Sequence, residues 1–144
     1  MKSILVDIDH TISDAFWRDT MIGVSTWDEY HTASSSDMPL EDMAELLRNL
    51  HQIYNIVGFT ARPEKFRQIT MSWCLKHFIP LDELLMRPSE SYEKAPQIKK
   101  ALIEKRFVES IDEIAFVLED REDVCAMLKG MNVTVLQVVH GRRK

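Results

Sequence analysis

Along this chain, short apolar runs alternate with stretches of helical period. The opening Ser3-Ile4-Leu5-Val6-Asp7-Ile8 is almost entirely apolar before it turns polar. A strand without polar alternation is one covered on both faces, as in the middle of a parallel sheet, so this run predicts a first strand over Ser3 to Ile8. Further strands are predicted at Ile53 to Phe59, Leu84 to Met86, Ile114 to Leu118 and Val133 to Val139. Between them, Leu40, Met43, Leu46, Leu47 and Leu50 form the stripe of a helix from about Pro39 to Leu50. Asp37 or Ser36 would cap it, and Pro39, Glu41 and Asp42 suit its first turn. Phe66, Ile69 and Trp73 mark a helix starting at Pro63. Ile98, Ala101, Leu102 and Lys105 mark one opened by Pro96, and Arg121 to Lys129 reads as a helix closed by Gly130. This alternation predicts one α/β domain over residues 1–144. It would be Rossmann-like, a five-stranded, mostly parallel sheet with helices on both faces and no large cap domain.

The segment from about Ile12 to Met38 has no clean period, and an unpatterned connection of that length in a compact domain is usually functional. It carries Trp17, Arg18, Trp27, Tyr30 and His31, residues that stack or bind anions, and it reads as a flap over the active site. Of these, Trp17, Trp27 and Tyr30 are the candidates for stacking on a base.

Composition narrows the setting. A net charge of -5 argues against a protein that coats long nucleic acid by electrostatics, but not against recognition of a single strand end. Cys74 and Cys125 lie far apart with no metal-binding spacing, and the first apolar run is far too short for a leader or a membrane span. The expectation is a reduced, cytoplasmic protein with no membrane association and no stable protein partner. The closing Arg142-Arg143-Lys144 reads as a solvated basic tip.

In an open parallel sheet, ligands bind beyond the carboxyl ends of the strands. After the first strand come Asp7, Asp9 and Thr11. Two carboxylates so placed can divide the labour, one attacking phosphorus and the other moving protons. After the second come Thr60, Ala61 and Arg62, where a hydroxyl and backbone N–H groups at a helix start form a phosphate cradle and Arg62 offers a forked cation. After the third, Lys94 is favoured to neutralise a transferring phosphoryl group, with Lys99 and Lys100 as competitors. After the fourth come Glu119 and Asp120, whose repulsion with Asp7 and Asp9 a hard dication would turn into a binding site.

These clusters, in this order, resemble the four motifs of the haloacid dehalogenase (HAD) superfamily of phosphatases, over essentially the whole chain. The resemblance implies Asp7 as the nucleophile that forms an aspartyl-phosphate and Asp9 as general acid, then base. It implies magnesium held by Asp7, Asp120 and the Asp9 backbone carbonyl, with Glu119 standing where the family has an aspartate. Thr60-Ala61-Arg62, the spacing from Arg87 to Lys94 and Glu119-Asp120-Arg121 are similar to the phosphatase domain of bacteriophage polynucleotide kinase, which removes 3′ phosphates. No GxxxxGK[ST] is present, so the kinase half of that relative is absent from this sequence. The expected substrate is a phosphorylated nucleotide or nucleic acid 3′ end, contacted by Thr11, Thr60, Ala61 and Arg62 and by Arg18 and Trp17 of the flap. The alternatives are a phosphatase of free mononucleotides or other small esters, and a non-catalytic phosphate-binding protein on the same fold.

Overall fold

The first strand, β1 (Ser3–Val6), is completely buried, and its alternate side chains enter two different cores. Ile4 and Val6 pack on one side with Ile12, Ala44, Leu47, Ile56 and Trp73. Leu5 packs on the other with Val57, Phe59, Ile103, Val117 and Leu128. A strand with an apolar layer on each face has to be interior, and β1 is the middle strand of five.

The computed structural model describes residues 1–141; the basic tip 142–144 lies outside the described residues. After β1 come β2 (Ser13–Asp14), α1 (Trp27–Thr32), β3 (Met38–Pro39), α2 (Glu41–Leu50), β4 (Asn55–Pro63), α3 (Arg67–Lys76), β5 (Glu83–Arg87), α4 (Ala95–Arg106), β6 (Ile114–Glu119), α5 (Glu122–Gly130) and β7 (Val135–Gln137). The main sheet runs β5-β4-β1-β6-β7, and every pairing in it is parallel. Helices α2 and α3 cover one face, α4 and α5 the other. The expected five-stranded α/β architecture is therefore what forms.

Close approach explains one glycine. A Cβ on Gly58, in the middle of β4, would lie 2.8 Å from Leu84 Cδ1 and 3.1 Å from Leu81 Cδ1, so a larger residue there requires those leucine side chains to shift.

The segment joining β1 to α2 is more ordered than its lack of period suggested. It contains two 3-10 stretches, Phe16–Met21 and Ala33–Ser36, either side of α1. Helix α1 starts at a reciprocal cap, in which Glu29 N–H donates to Thr26 Oγ1 (3.1 Å) and Thr26 N–H to Glu29 Oε1 (3.0 Å). The Thr-x-x-Glu signature was present in the sequence. The segment is pinned at both ends by the antiparallel pair β2–β3, in which Ser13 faces Pro39 and Asp14 faces Met38.

That pairing moves the start of α2. Pro39 is in β3 instead of the first helical turn, Leu40 stands at the cap, and Asp37 leaves the cap because its carboxylate is used elsewhere. At the end of α5, Gly130 is the last helical residue and the left-handed turn falls on Asn132 (φ 60°). The buried face of α4 is Ala95, Ile98, Lys99 and Ile103, not the stripe through Ala101 and Lys105.

Two neighbouring leucines separate these packing claims. Leu47→Ala, at a fully buried position, is expected to cost about 2–5 kcal/mol. Leu46→Ala, at a position 40% exposed, should stay within about 1 kcal/mol. Urea titration of both variants checks the difference.

Candidate active site

Because β1 lies between β4 and β6, the residues at the carboxyl ends of these three strands meet. Asp7 follows β1, Thr60 lies in β4, and Glu119 and Asp120 are the last residue of β6 and its successor. Asp7, Thr60 and Asp120 open on a cleft of about 450 Å³, which is also lined by residues of α1 and of the loop after β5, while Glu119 is fully buried. A volume of that order holds a small organic ligand, not merely a phosphate.

Two charge-compensating units occupy the floor. The first is centred on Lys99, which α4 delivers from the far face of the sheet. Its Nζ donates to Asp7 Oδ1 (2.6 Å) and Glu119 Oε2 (2.7 Å), and it sits 4.5 Å above the Phe59 ring. Burial alone would strip its proton, but the two carboxylates outweigh burial and keep the ammonium charged. Glu119 also accepts Arg121 N–H at Oε1 (3.2 Å). Thr11 Oγ1 lies 3.0 Å from Asp7 Oδ2 and 3.3 Å from Asp120 Oδ1 and shares its single proton between them.

The second unit is centred on Asp9. Arg62 grips both of its oxygens (Nη2 to Oδ1 2.6 Å, Nε to Oδ2 3.2 Å), and Arg18 Nη2 adds a third bond to Oδ1 (2.7 Å). Arg18 in turn forks onto Asp37 (Nε to Oδ1 and Nη2 to Oδ2, both 2.8 Å), and Arg62 Nη1 donates to Thr70 Oγ1 (3.1 Å). Burial pushes the Asp9 carboxyl up, but Arg62 and Arg18 outweigh it and hold the group ionised, well below the usual carboxylate range.

Asp120 belongs to neither unit. Burial, together with Asp7 and Glu119 close by, pushes its carboxyl up to about 9. Around the floor, among the described residues, the carboxylates of Asp7, Asp9, Asp37 and Glu119 form ion pairs with the three cations of Arg18, Arg62 and Lys99. Asp7, Glu119 and Asp120 each offer an oxygen within 4.8 Å of the others. Hard oxygen ligands gathered this closely, one of them a carboxyl that keeps its proton for want of a cation, fit a magnesium ion that would displace that proton.

Several sequence expectations need correction. Lys94 is exposed at the cap of α4 and contacts no carboxylate of the site; Lys99, one of its competitors, holds that place. A lysine in line with Ala95 and Ile103 on the buried helical face was the available signal. Thr11 is completely buried and tethers carboxylates instead of facing substrate. Neither Arg18 nor Trp17 lines the cleft: Arg18 is buried, and Trp17, half-exposed, donates Nε1–H to Asp37 Oδ1 (2.8 Å). Tyr30 is buried beneath Arg18, 4.5 Å from ring to guanidinium, so it offers no free face to a base. Arg62 lines the cleft but spends its guanidinium on Asp9 and Thr70. Thr60 and Ala61 do line the cleft, and Thr60 Oγ1 accepts Arg62 N–H (3.1 Å). Glu119 lies within the acidic cluster with one oxygen on Lys99.

His10 occupies a left-handed turn (φ 65°), a conformation usually given to glycine. Its ring packs on Phe16 (4.2 Å between centroids), its Nε2 is 3.4 Å from Asp19, and its carbonyl is 2.6 Å from His140 Nε2.

A family model described as the polynucleotide kinase PNKP phosphatase domain matches residues 1–142. The chain belongs to that family. It is a HAD-type phosphatase domain of the PNKP kind. Among solved structures, a chain of the Pnkp1/Rnl/Hen1 complex superposes with a TM-score of 0.78 at 27% identity over 97% of this chain and 46% of its own length. A chain of the Pnkp1/Rnl/Hen1 RNA repair complex gives 0.78 at 26% over 99% and 44%. This chain therefore spans less than half the length of those relatives. L-2-haloacid dehalogenase from Xanthobacter autotrophicus shares the fold (TM-score 0.68, 11% identity, covering 99% of this chain and 80% of that one). Among curated proteins none matches the chain. No described helix is long and apolar enough to cross a membrane.

For this member of the PNKP phosphatase family, the buried lysine is the point to test. Lys99→Met leaves Asp7 and Glu119 buried without their cation and is expected to cost about 3–5 kcal/mol. Lys94→Met, at an exposed position, should leave stability within about 0.5 kcal/mol. Thermal unfolding of the two variants decides which lysine the site depends on.

Proposed function

We propose that this chain is a magnesium-dependent phosphomonoesterase that removes a 3′-phosphate from nucleic acid ends or nucleotides through an aspartyl-phosphate on Asp7. The observation that carries the reading is the separation of the two aspartates into unlike environments. Asp7 sits with an ammonium and an acidic cluster, while Asp9 sits in an arginine clamp. Two carboxylates two residues apart thereby acquire separate tasks.

In the first half-reaction, a bond forms from an Asp7 carboxylate oxygen to phosphorus and the ester P–O bond breaks. The leaving oxygen takes a proton from Asp9. In the second, a water oxygen bonds to phosphorus, the Asp7–phosphorus bond breaks and the water proton returns to Asp9. For the second role the clamp keeps Asp9 ionised, though at the expense of proton affinity. A substrate phosphate that competes for Arg62 loosens the clamp and raises the proton affinity of Asp9 for the first. Lys99 holds Asp7 in place and offsets charge gathering on the phosphoryl oxygens, and Thr60 with the backbone after it borders the space those oxygens would fill. Asp7 and Asp120, with Glu119 beside them, would hold magnesium, which supplies further charge neutralisation there when bound.

The choice of substrate rests on two supports. The family is that of a polynucleotide kinase phosphatase, and one relative is described within an RNA repair complex. The cleft of about 450 Å³ is also larger than a phosphate alone needs.

Phosphate release from a 3′-phosphorylated oligonucleotide should require magnesium, stop on chelation and resume on its return. Asp7→Asn should abolish turnover. Activity in Asp7→Asn equal to wild type would defeat the mechanism. The absence of any preference for 3′-phosphorylated oligonucleotides or nucleotides over glycerol phosphate would defeat the substrate.

A further inference from the structure

The cleft extends beyond the phosphate-sized floor, and its outer part carries two large aromatic side chains that the chain does not bury. Trp27, at the start of α1, is 61% exposed, and Tyr92, in the loop after β5, is 95% exposed. Both line the same cleft as Asp7 and Thr60. A folded chain gains by covering side chains of this size, so leaving both open beside a polar site points to a ligand that covers them.

The two come from distant parts of the sequence but are tied to one another. Lys65 joins their segments, since its Nζ pairs with Asp28 of α1 (2.8 Å) and its backbone N–H donates to Ser89 Oγ in the loop that carries Tyr92 (3.0 Å). Arg87 braces the same loop, donating to the carbonyls of Ser91 (3.5 Å) and Glu93 and, through Nε, to that of Ala61 (2.8 Å).

Trp27 is also held at a fixed attitude. It meets Tyr30 edge-on (5.4 Å, 90°) and lies nearly parallel to His31 (6.1 Å, 28°), and His31 in turn packs on Phe66 (5.2 Å). An indole already oriented by its neighbours loses little freedom when a flat ligand lies on its open side.

We propose that Trp27 and Tyr92 form the nucleobase subsite of this cleft, gripping the terminal nucleosides of a 3′-phosphorylated strand by stacking while the phosphate enters at Asp7. The inference rests on the nucleic acid reading of the function and adds to it the residues that make the enzyme prefer a nucleotide to a simple ester. It also separates them from the other aromatics of the segment. Trp17 does not line the cleft, and Tyr30 is buried under Arg18, so neither is placed to cover a base there. Stacking engages the π-face that all bases share, so the subsite accepts any of the four.

The test compares KM and kcat on a 3′-phosphorylated oligonucleotide and on glycerol phosphate, which has no ring. Trp27→Ala and Tyr92→Ala should each raise KM for the oligonucleotide roughly five- to 150-fold, the range observed for base–aromatic stacking. Values on glycerol phosphate should not change. Trp27→Phe and Tyr92→Phe should restore most of the loss, because a ring remains. If wild type favours the oligonucleotide and both alanine variants keep that preference, the subsite assignment fails while the function stands. Equal losses on both substrates would also overturn it, since damage to the fold acts on either ester. If wild type shows no preference for the oligonucleotide, the nucleic acid reading fails and the subsite with it.

Discussion

Carboxylates gathered at the buried end of a parallel sheet repel one another, and the way that repulsion is relieved organises this molecule. Asp7 and Glu119 share an ammonium, and Asp9 and Asp37 share two guanidiniums, whereas Asp120 has no cation of its own. In a low-dielectric setting each pairing is held by geometry as much as by charge, because an ion left alone there is very costly. The remaining negative charge is concentrated in one place, where a metal ion and a phosphoryl group can meet. The scaffold is thus electrostatically incomplete at the carboxyl end of the sheet, beside the cleft.

The two compensating units draw on different parts of the chain. The lysine arrives on α4 from one face of the sheet, and the arginines arrive from the β1–α2 connection and the end of β4. Asp7 is therefore fixed by the helical layer. Asp9 is fixed partly by the connection that also forms a wall of the cleft.

Much of this was legible in the sequence, for physical reasons that can be named. An unbroken apolar run with a carboxylate at its end could only be an interior strand delivering Asp7, and the alternation of elements left little choice of architecture. Thr60 and Asp120 followed from the rule that strand ends gather ligands. Side-chain partnership across elements was harder to read. Lys94 and Lys99 are both plausible by spacing, and only the rotation of α4 decides between them. Asp37 looked like a helix cap because its local context suits one, but it is claimed by Arg18 and Trp17 far away in sequence. Tyr92 sits in a polar stretch with no periodic signal and stands out only when its loop is placed beside α1.

Asp37 carries a consequence for how members of this family can diversify. Its side chain holds Arg18 and Trp17, and its backbone carbonyl accepts Trp73 Nε1 (2.8 Å) from α3. The segment that shapes the entrance is consequently bolted to the hydrophobic core through the same residue that steadies the acid–base group. It cannot be exchanged as a cassette: a transplanted entrance would have to bring its own matched arginine and aspartate, or the chemistry beneath it would fall silent. At the rim of this chain, by contrast, a side chain can change without disturbing the bolt.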